Sequence, residues 1–264
     1  MATHDMARTW VELHVLSKDE PGAARQRHAA ESVFRYFEDT YGILPDPKVV
    51  CILDGQDGWD LKRELGAENR GVNCLPRGRI YRSLPNYVRP LIGPVNPRTN
   101  EVTWPFEMVI YLHGTTCETE IGLSLCFAHE LQHFIQYAQR RPLWALNVLL
   151  VELHNPDFHF WWDFPTEREA RIVSKRLGLE LFGKKAIDLY IKNQISAQVT
   201  DTDTRDWEFF SSIDLSTPYD LAIETMQLVE SHRVELVRAL EKFRGEAAFA
   251  GLGLERLIRG ADVH

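Results

Sequence analysis

The sequence lacks several features that would indicate particular classes of protein. It has no run of about 18 consecutive apolar residues, the length that a membrane-spanning helix needs, so no membrane span is expected. Charged residues are scattered through positions 1–20, which excludes the apolar core of a secretory signal peptide. No block of lysine and arginine stands out, and the formal net charge is -8. Nucleic acid and membrane are therefore not expected partners.

Cysteine is also scarce, with four residues in 264, and none of them forms a Cys-x-x-Cys pair. This excludes a structural zinc ribbon and a disulfide-rich scaffold. The simplest prediction is a protein of a reducing, cytoplasmic compartment. The composition is otherwise that of an ordinary globular protein, at 44 % hydrophobic and 26 % charged residues. We expect a single domain over 1–264, and the oligomeric state stays open.

The feature that stands out is His-Glu-x-x-His, from His129 to His133. Residues four apart lie on the same face of a helix, so both imidazoles can reach one metal ion. Glu130 lies about 100° round the helix from His129. It is therefore predicted to lie beside the metal and to act as a base toward a water molecule there. Zinc is the expected ion, because it lowers the pKa of a bound water toward about 7.

The residues around this motif predict that its helix is buried. Apolar side chains occur on most of its faces, at Ile121, Leu123, Leu125, Phe127, Leu131, Phe134 and Ile135. Burying two histidines and a glutamate is costly unless they are paired or bind a metal. Cys126, three residues before His129, is interpreted as a small buried apolar side chain.

The remaining pattern predicts an α+β fold with a small mixed sheet and a mostly helical C-terminal half. The sheet-containing part covers about 1–141, and the helical part covers about 142–264. Strands are expected at 48–53, 78–84 and 106–113. Helices are expected at 20–41, 116–140, 143–153, 165–181, 184–195, 221–243 and 247–258. Thr115, with Glu118 three residues later, is predicted to start the metal-site helix. The polar segment 196–217 is predicted to be a surface loop.

A catalytic zinc usually has three protein ligands, so a third residue is required. A third histidine is disfavoured, because Gln139 stands six residues after His133. A glutamate at the start of a later helix is the main alternative, and both Glu167 and Glu169 are available. They lie about 200° apart on a helix, so only one can face the ion. Further candidates are Asp163, Asp157 and His159.

His129-Glu-Leu-Gln-His133, followed by Glu167-x-x-Ala170, resembles the gluzincin clan of zinc metallopeptidases. The Glu-x-Glu-Ala segment is similar to that of compact, cytosolic ImmA/IrrE-like members. The resemblance implies a zincin-like fold in which Glu167 is the third ligand and Ala170 lets two helices approach. It also implies that a strand at the sheet edge, 106–113 or 78–84, holds the substrate as an added strand. Arg171 departs from the clan, which often has Asp or Asn there.

The expected function is therefore zinc-dependent hydrolysis of a peptide or protein substrate, with Glu130 as the catalytic base. The alternative is a non-hydrolytic, zinc-binding regulatory or interaction protein. A closed four-ligand site that includes Cys126 or Glu169 would favour that alternative. The residue that stabilises the oxyanion stays open among His154, His159, Tyr190 and Tyr219.

Overall fold

The computed structural model describes residues 8–42, 48–55, 71–74, 84–93, 106–154, 164–197, 201–246 and 249–260. Their contacts divide the chain into two compact units. We call Met1–Phe134 with Leu177–Ile187 the sheet unit. We call Ile135–Arg176 with Asp188–His264 the helical unit. The prediction of a single domain stays a prediction.

The sheet unit contains a four-stranded sheet in the order β1-β2-β4-β3. β1, β2 and β4 are parallel, and β3 is antiparallel to β4. The sheet is therefore small and mixed, as the sequence predicts. The elements of this region are β1 (Val11–Leu16), α1 (Glu20–Tyr41), β2 (Val49–Asp54), β3 (Gly71–Cys74), α2 (Arg89–Ile92), β4 (Met108–His113) and a 3-10 helix (Gly114–Cys117).

Strand β2 explains why the parallel part of the sheet forms. All six of its residues are buried, which is the pattern of a parallel strand covered on both faces. Val50 and Ile52, two residues apart on one face, join an apolar cluster with Val109 and Tyr111 of β4. Strands β1 and β3, each with a single neighbour among the described strands, are the edges of the sheet.

The position of β4 corrects one sequence-based prediction. We expected either 106–113 or 78–84 to be an edge strand that accepts a peptide. β4 pairs with β2 along its whole length and with β3 from Val109 to Leu112, so it is an interior strand among the described strands. Of the second segment, only Leu84 belongs to the described residues.

Helix α1 has the bounds that its apolar spacing predicts. Its N-cap, Asp19, accepts a hydrogen bond from the backbone of Gly22, and Gly42 ends the helix at φ 80°. Its buried face presents Phe34, which contacts the ring of Trp10 at 5.6 Å and that of Phe127 at 5.2 Å, both edge to face. These aromatic contacts join α1 to the segment that precedes β1 and to the helix that carries the His-Glu-x-x-His motif.

Helices make up most of the rest of the described chain: α3 (Glu120–Gln139), α4 (Arg141–His154), α5 (Pro165–Ala197), α6 (Asp201–Ser212), α7 (Leu221–Ser231), α8 (Arg233–Lys242) and α9 (Leu254–Arg259). α3 and α5 each run through both units. In the helical unit, α4 packs with α7, α8 and α9. Their core contains Leu146, Leu149, Leu150, Val229, Leu236 and Ile258.

Two expectations for this half need correction, and a third is confirmed. The predicted loop at 196–217 is wrong, because most of it forms α6, which buries Trp207 and Phe210. The predicted helix 221–243 is interrupted at His232, where φ is -125° and ψ is 24°. The predicted separation of two helices at 165–181 and 184–195 is confirmed, because Gly183 interrupts α5 with a non-helical φ of 76° and ψ of 159°.

The described chain is thus an α+β protein with a small mixed sheet and a mostly helical C-terminal half, as predicted. None of its helices, among the residues that the structure describes, is both long enough and apolar enough to span a bilayer.

Candidate metal centre

Helix α3 carries the His-Glu-x-x-His motif and directly follows the sheet. β4 ends at His113, and the 3-10 helix leads into α3 at Glu120. The predicted start at Thr115 is wrong, because the 3-10 helix occupies that position. The side chain of Thr119 instead accepts a hydrogen bond from the backbone of Gly122 at 3.1 Å, so Thr119 supplies the first cap.

The predicted burial of α3 is confirmed. Phe127, Leu131 and Phe134 are fully buried. The indole of Trp10 stacks on Phe134 with a centroid distance of 6.1 Å. His129, Glu130 and His133 are each partly exposed on this otherwise buried helix. The motif therefore lies on a closely packed helix, and its three polar side chains keep access to solvent.

The structure brings the two histidines of the motif together. The Nε2 atoms of His129 and His133 lie 3.1 Å apart, and the two rings meet almost at right angles, at 84°. Two Zn–N bonds of about 2.0–2.1 Å at a tetrahedral angle place their nitrogen atoms about 3.3 Å apart. The observed separation is close to that value, and it is also the distance of a hydrogen bond between the two imidazoles.

Cys126 lies one turn before His129 on α3. It is partly buried, and Cys51, Cys117 and Cys126 are not in disulfide bonds. Burial, followed by the nearby charges of Cys126 and Asp54, raises the pKa of the Cys117 thiol well above its usual range. Cys117 is therefore a neutral, apolar side chain at ordinary pH, and it has no character of a thiolate ligand.

Glu167, the residue that the resemblance proposes as third ligand, lies in the first turn of α5. It is 6 % exposed. Its Oε2 atom accepts a hydrogen bond from the Nη1 of Arg171 at 3.0 Å. The Nη2 and Nε of Arg171 donate to Oδ1 of Asp206 on α6, at 2.7 and 3.2 Å. One guanidinium therefore links the Glu167 carboxylate to a carboxylate on the next helix.

Arg171 is 8 % exposed, so its positive charge is largely removed from water and needs negatively charged partners to offset that cost. Burial alone lowers the pKa of Arg171, but the charges of Asp206 and Glu167 outweigh it, so the pKa is raised. Sequence reasoning identified Arg171 only as a departure from the clan, and it missed Asp206. The spacing of Glu167 and Arg171, four apart on a helix, was the available signal for their contact.

Glu169, the second candidate ligand, is held by other groups in the helical unit. Both oxygens of its carboxylate accept from the guanidinium of Arg140, at 2.8 and 2.7 Å. Gln136 donates to the same carboxylate at 3.0 Å and to the backbone carbonyl of Thr166 at 2.9 Å. A bidentate ion pair of this kind fixes the orientation of the carboxylate. Glu169 therefore joins the last turn of α3 to the first turn of α5.

The remaining candidates have other surroundings or lie outside the description. The hydroxyl of Tyr219 donates to the carbonyl of Pro165 at 2.9 Å, so it anchors the start of α5. Tyr190 contacts the ring of Trp207 at 5.7 Å. His154 is the last residue of α4. Asp157, His159 and Asp163 lie outside the described residues.

Comparison of the chain with protein-family models, with curated proteins and with solved structures found no match. The motif and its surroundings therefore carry the functional argument.

Proposed function

We propose that this protein is a zinc-dependent peptide hydrolase with a zincin-like active site, in which His129, His133 and Glu167 hold the ion and Glu130 is the catalytic base. The observation that carries the proposal is the 3.1 Å separation of the two Nε2 atoms on a buried, rigid helix. The motif and the Glu167-x-x-Ala170 segment support it through their resemblance to gluzincins.

Two contacts, one in each unit, join α3, which carries the two histidines, to α5, which carries Glu167. In the sheet unit, a Cβ on Gly178 of α5 would lie 2.6 Å from the Leu125 side chain of α3. In the helical unit, Gln136 of α3 donates to the carbonyl of Thr166 of α5. The two contacts are about 16 Å apart along α3 and about 18 Å apart along α5, at 1.5 Å per residue. Each unit therefore contains a close approach of α3 to α5 within itself.

The histidine pair lies between the two contacts on α3, and Glu167 lies between them on α5. Each of the three proposed ligands offers a side-chain atom of the kind that binds zinc: an imidazole nitrogen from His129 and from His133, and a carboxylate oxygen from Glu167. Glu169 is the weaker candidate, because Arg140 engages both of its oxygens. Three ligands leave a fourth position for water or substrate, as a catalytic zinc requires.

The chemistry follows from the residues around the site. When bound, zinc supplies a Lewis acid and lowers the pKa of a water molecule toward about 7. Glu130 follows His129 directly, and its partly exposed carboxylate can take the proton of the attacking water. It then gives this proton to the amine that leaves when the peptide bond breaks. A buried helix keeps these groups in position, which reduces the ordering needed at each turnover.

The first test is metal content. Wild-type protein should retain about one zinc per chain after dialysis, the stoichiometry of a mononuclear site. His133→Ala should lose most of this zinc, because two protein ligands hold it less well than three. Elemental analysis of both proteins measures the result. Full retention of zinc by His133→Ala would refute the assignment of the site.

The second test separates a hydrolase from a zinc-binding regulatory protein. Glu130→Gln should retain zinc and the thermal stability of the wild type, since the change is nearly isosteric. It should abolish cleavage of any peptide, found with a mixed peptide library, that the wild type cleaves. Unchanged cleavage by Glu130→Gln would contradict the proposed base. A wild type that binds zinc but cleaves no peptide in the library would favour the regulatory alternative.

A further inference from the structure

We propose that Arg171 and Asp206 are positioning residues for the metal site, because they hold the Glu167 carboxylate in the orientation in which it binds the ion. This inference rests on the proposed function, since it requires Glu167 to be a ligand. Its basis is the hydrogen-bonded series of Glu167, Arg171 and Asp206, which lies wholly within the helical unit.

The hydrogen bond from Arg171 restricts one oxygen of the Glu167 carboxylate. Arg171 Nη1 donates to Oε2 of Glu167 at 3.0 Å, which fixes the position of this oxygen relative to α5. Ligand residues commonly depend on such partners for their orientation. Without the partner, Glu167 would sample several rotamers, and binding a metal would require ordering it.

Asp206 determines where the guanidinium itself lies. It accepts from Nη2 at 2.7 Å and from Nε at 3.2 Å, so Asp206 occupies one edge of the planar group, while Glu167 accepts from Nη1 at another edge. The side chain of Asp206 is 24 % exposed, against 10 % for that of Arg171. The more accessible carboxylate thus anchors a buried cation, and the cation in turn orients the ligand. Asp206 comes from α6, 35 residues along the chain from Arg171.

Two effects of Arg171 on metal binding have opposite signs. Its positive charge repels a divalent cation, so charge alone predicts tighter binding when the arginine is removed. Its guanidinium N–H groups orient Glu167, so the loss of this orientation predicts weaker binding of the metal when the arginine is removed. The charges of Glu167 and Asp206 accompany that of Arg171, which reduces the net repulsion. We therefore expect orientation to dominate.

Arg171→Lys separates these two effects, because lysine keeps the charge and loses the planar fork that contacts both carboxylates. We expect the dissociation constant of zinc, measured by chelator competition, to rise about 10–100-fold, the usual effect of losing such a partner. The visible absorption band of the cobalt-substituted protein should also change, because it reports the geometry around the ion. Arg171→Met should weaken binding as well. An unchanged constant in Arg171→Lys, together with tighter binding in Arg171→Met, would overturn the proposal.

The chain offers a matched control in the neighbouring ion pair. Arg140 holds Glu169 with two hydrogen bonds, two residues along α5 from Glu167. Arg140→Lys makes the same substitution on a carboxylate that is not a ligand, so zinc affinity and the cobalt band should match the wild type. Equal effects of the two substitutions would show general loosening of α5 and would refute a specific role for Arg171.

Asp206→Asn tests the hydrogen-bonded series of Glu167, Arg171 and Asp206 while the buried arginine stays in place. This variant keeps the proposal testable if the Arg171 variants do not fold. It should weaken zinc binding less than Arg171→Lys does. Adding it to Arg171→Lys should cause no further loss, because Asp206 acts through Arg171. If the losses of zinc affinity in the two single variants add up in the double variant, Asp206 does not act through Arg171 and the proposed series is refuted. Glu167→Gln distinguishes the two proposals: if it binds zinc like the wild type, the ligand assignment fails. If it loses zinc while Arg171→Lys and Asp206→Asn do not, only the positioning role fails.

Discussion

Two tyrosines donate hydrogen bonds to the same oxygen of a buried aspartate. Comparing them tests how the burial of the donor changes the contribution of a hydrogen bond to the free energy of unfolding. The hydroxyls of Tyr87 and Tyr111 lie 2.6 and 2.7 Å from Oδ2 of Asp54. Asp54 and Tyr111 are both 0 % exposed, whereas Tyr87 is 44 % exposed. The distances and the acceptor are thus matched, and the accessibility of the donor differs.

Replacing either tyrosine with phenylalanine removes one hydroxyl and keeps the ring. A hydrogen bond to a charged group contributes about 1.5–3 kcal/mol. Tyr111→Phe should cost that full amount, because water cannot easily reach the buried oxygen from the side of β4. Tyr87→Phe should cost less than about 1 kcal/mol, because solvent can replace an accessible donor.

Urea unfolding, followed by tryptophan fluorescence, measures both free energies. For a protein of this size, 1 kcal/mol corresponds to a shift in Tm of about 2–4 °C. Tyr111→Phe should therefore lower Tm by about 3–12 °C, and Tyr87→Phe by less than about 4 °C. If Tyr87→Phe costs as much as Tyr111→Phe, or if Tyr111→Phe costs less than about 0.5 kcal/mol, burial does not set the strength of these bonds.

Three further predictions concern other parts of the molecule. Burial and the hydrogen bond to Asp54 raise the pKa of Tyr87 from 10.0 to about 12. The unfolded chain therefore loses this proton at a lower pH than the folded protein, so stability should fall as pH rises between about 10 and about 12. Tyr87→Phe should make the fall in Tm over this range smaller. Gly183→Ala should lower the free energy of unfolding in urea by about 1–3 kcal/mol, because φ 76° and ψ 159° suit only glycine. Substitution of the nearby exposed lysine, Lys185→Ala, should change it little. Thr225→Val should cost about 1–2 kcal/mol in the same assay, because it removes the hydroxyl that accepts from the buried amide of Asn147 at 2.8 Å.

Elements with a strong local pattern were predictable from the sequence. Helix α1 has the predicted bounds because its apolar spacing, its cap and the glycine that ends it all agree. β2 and β4 were predictable for the same reason, since each is a short, branched, apolar run between breaks in the pattern. Where local signals and tertiary packing favour the same structure, the pattern alone is enough.

The missed elements are those that tertiary contacts define. Val11, Leu13 and Val15 alternate along β1, but the charged residues around them hid this short edge strand. α6 is polar on most sides, and only Trp207 and Phe210, three residues apart, indicate its buried face. Composition alone suggested a loop there, because the packing that stabilises such a helix is not visible in its sequence.

The same limit applies to the candidate metal centre. His129 and His133 were predictable as a pair, because helix geometry alone places residues four apart on one face. The contact of Arg171 with Glu167 follows the same spacing and could have been predicted. Its contact with Asp206 could not, because the two residues are 35 positions apart and their elements meet only in the folded chain.

The path of the chain through α3 and α5 determines how this protein can be dissected. The boundary between the two units falls inside α3, between Phe134 and Ile135, and twice inside α5. Each unit therefore consists of two separate stretches of sequence, and no single cut in the backbone can release either one. A truncation that ends at Phe134 would remove the last turn of the motif helix with Gln136, and it would leave the sheet unit without 177–187. Studies of isolated fragments would therefore need to rejoin the stretches of one unit by a new linker.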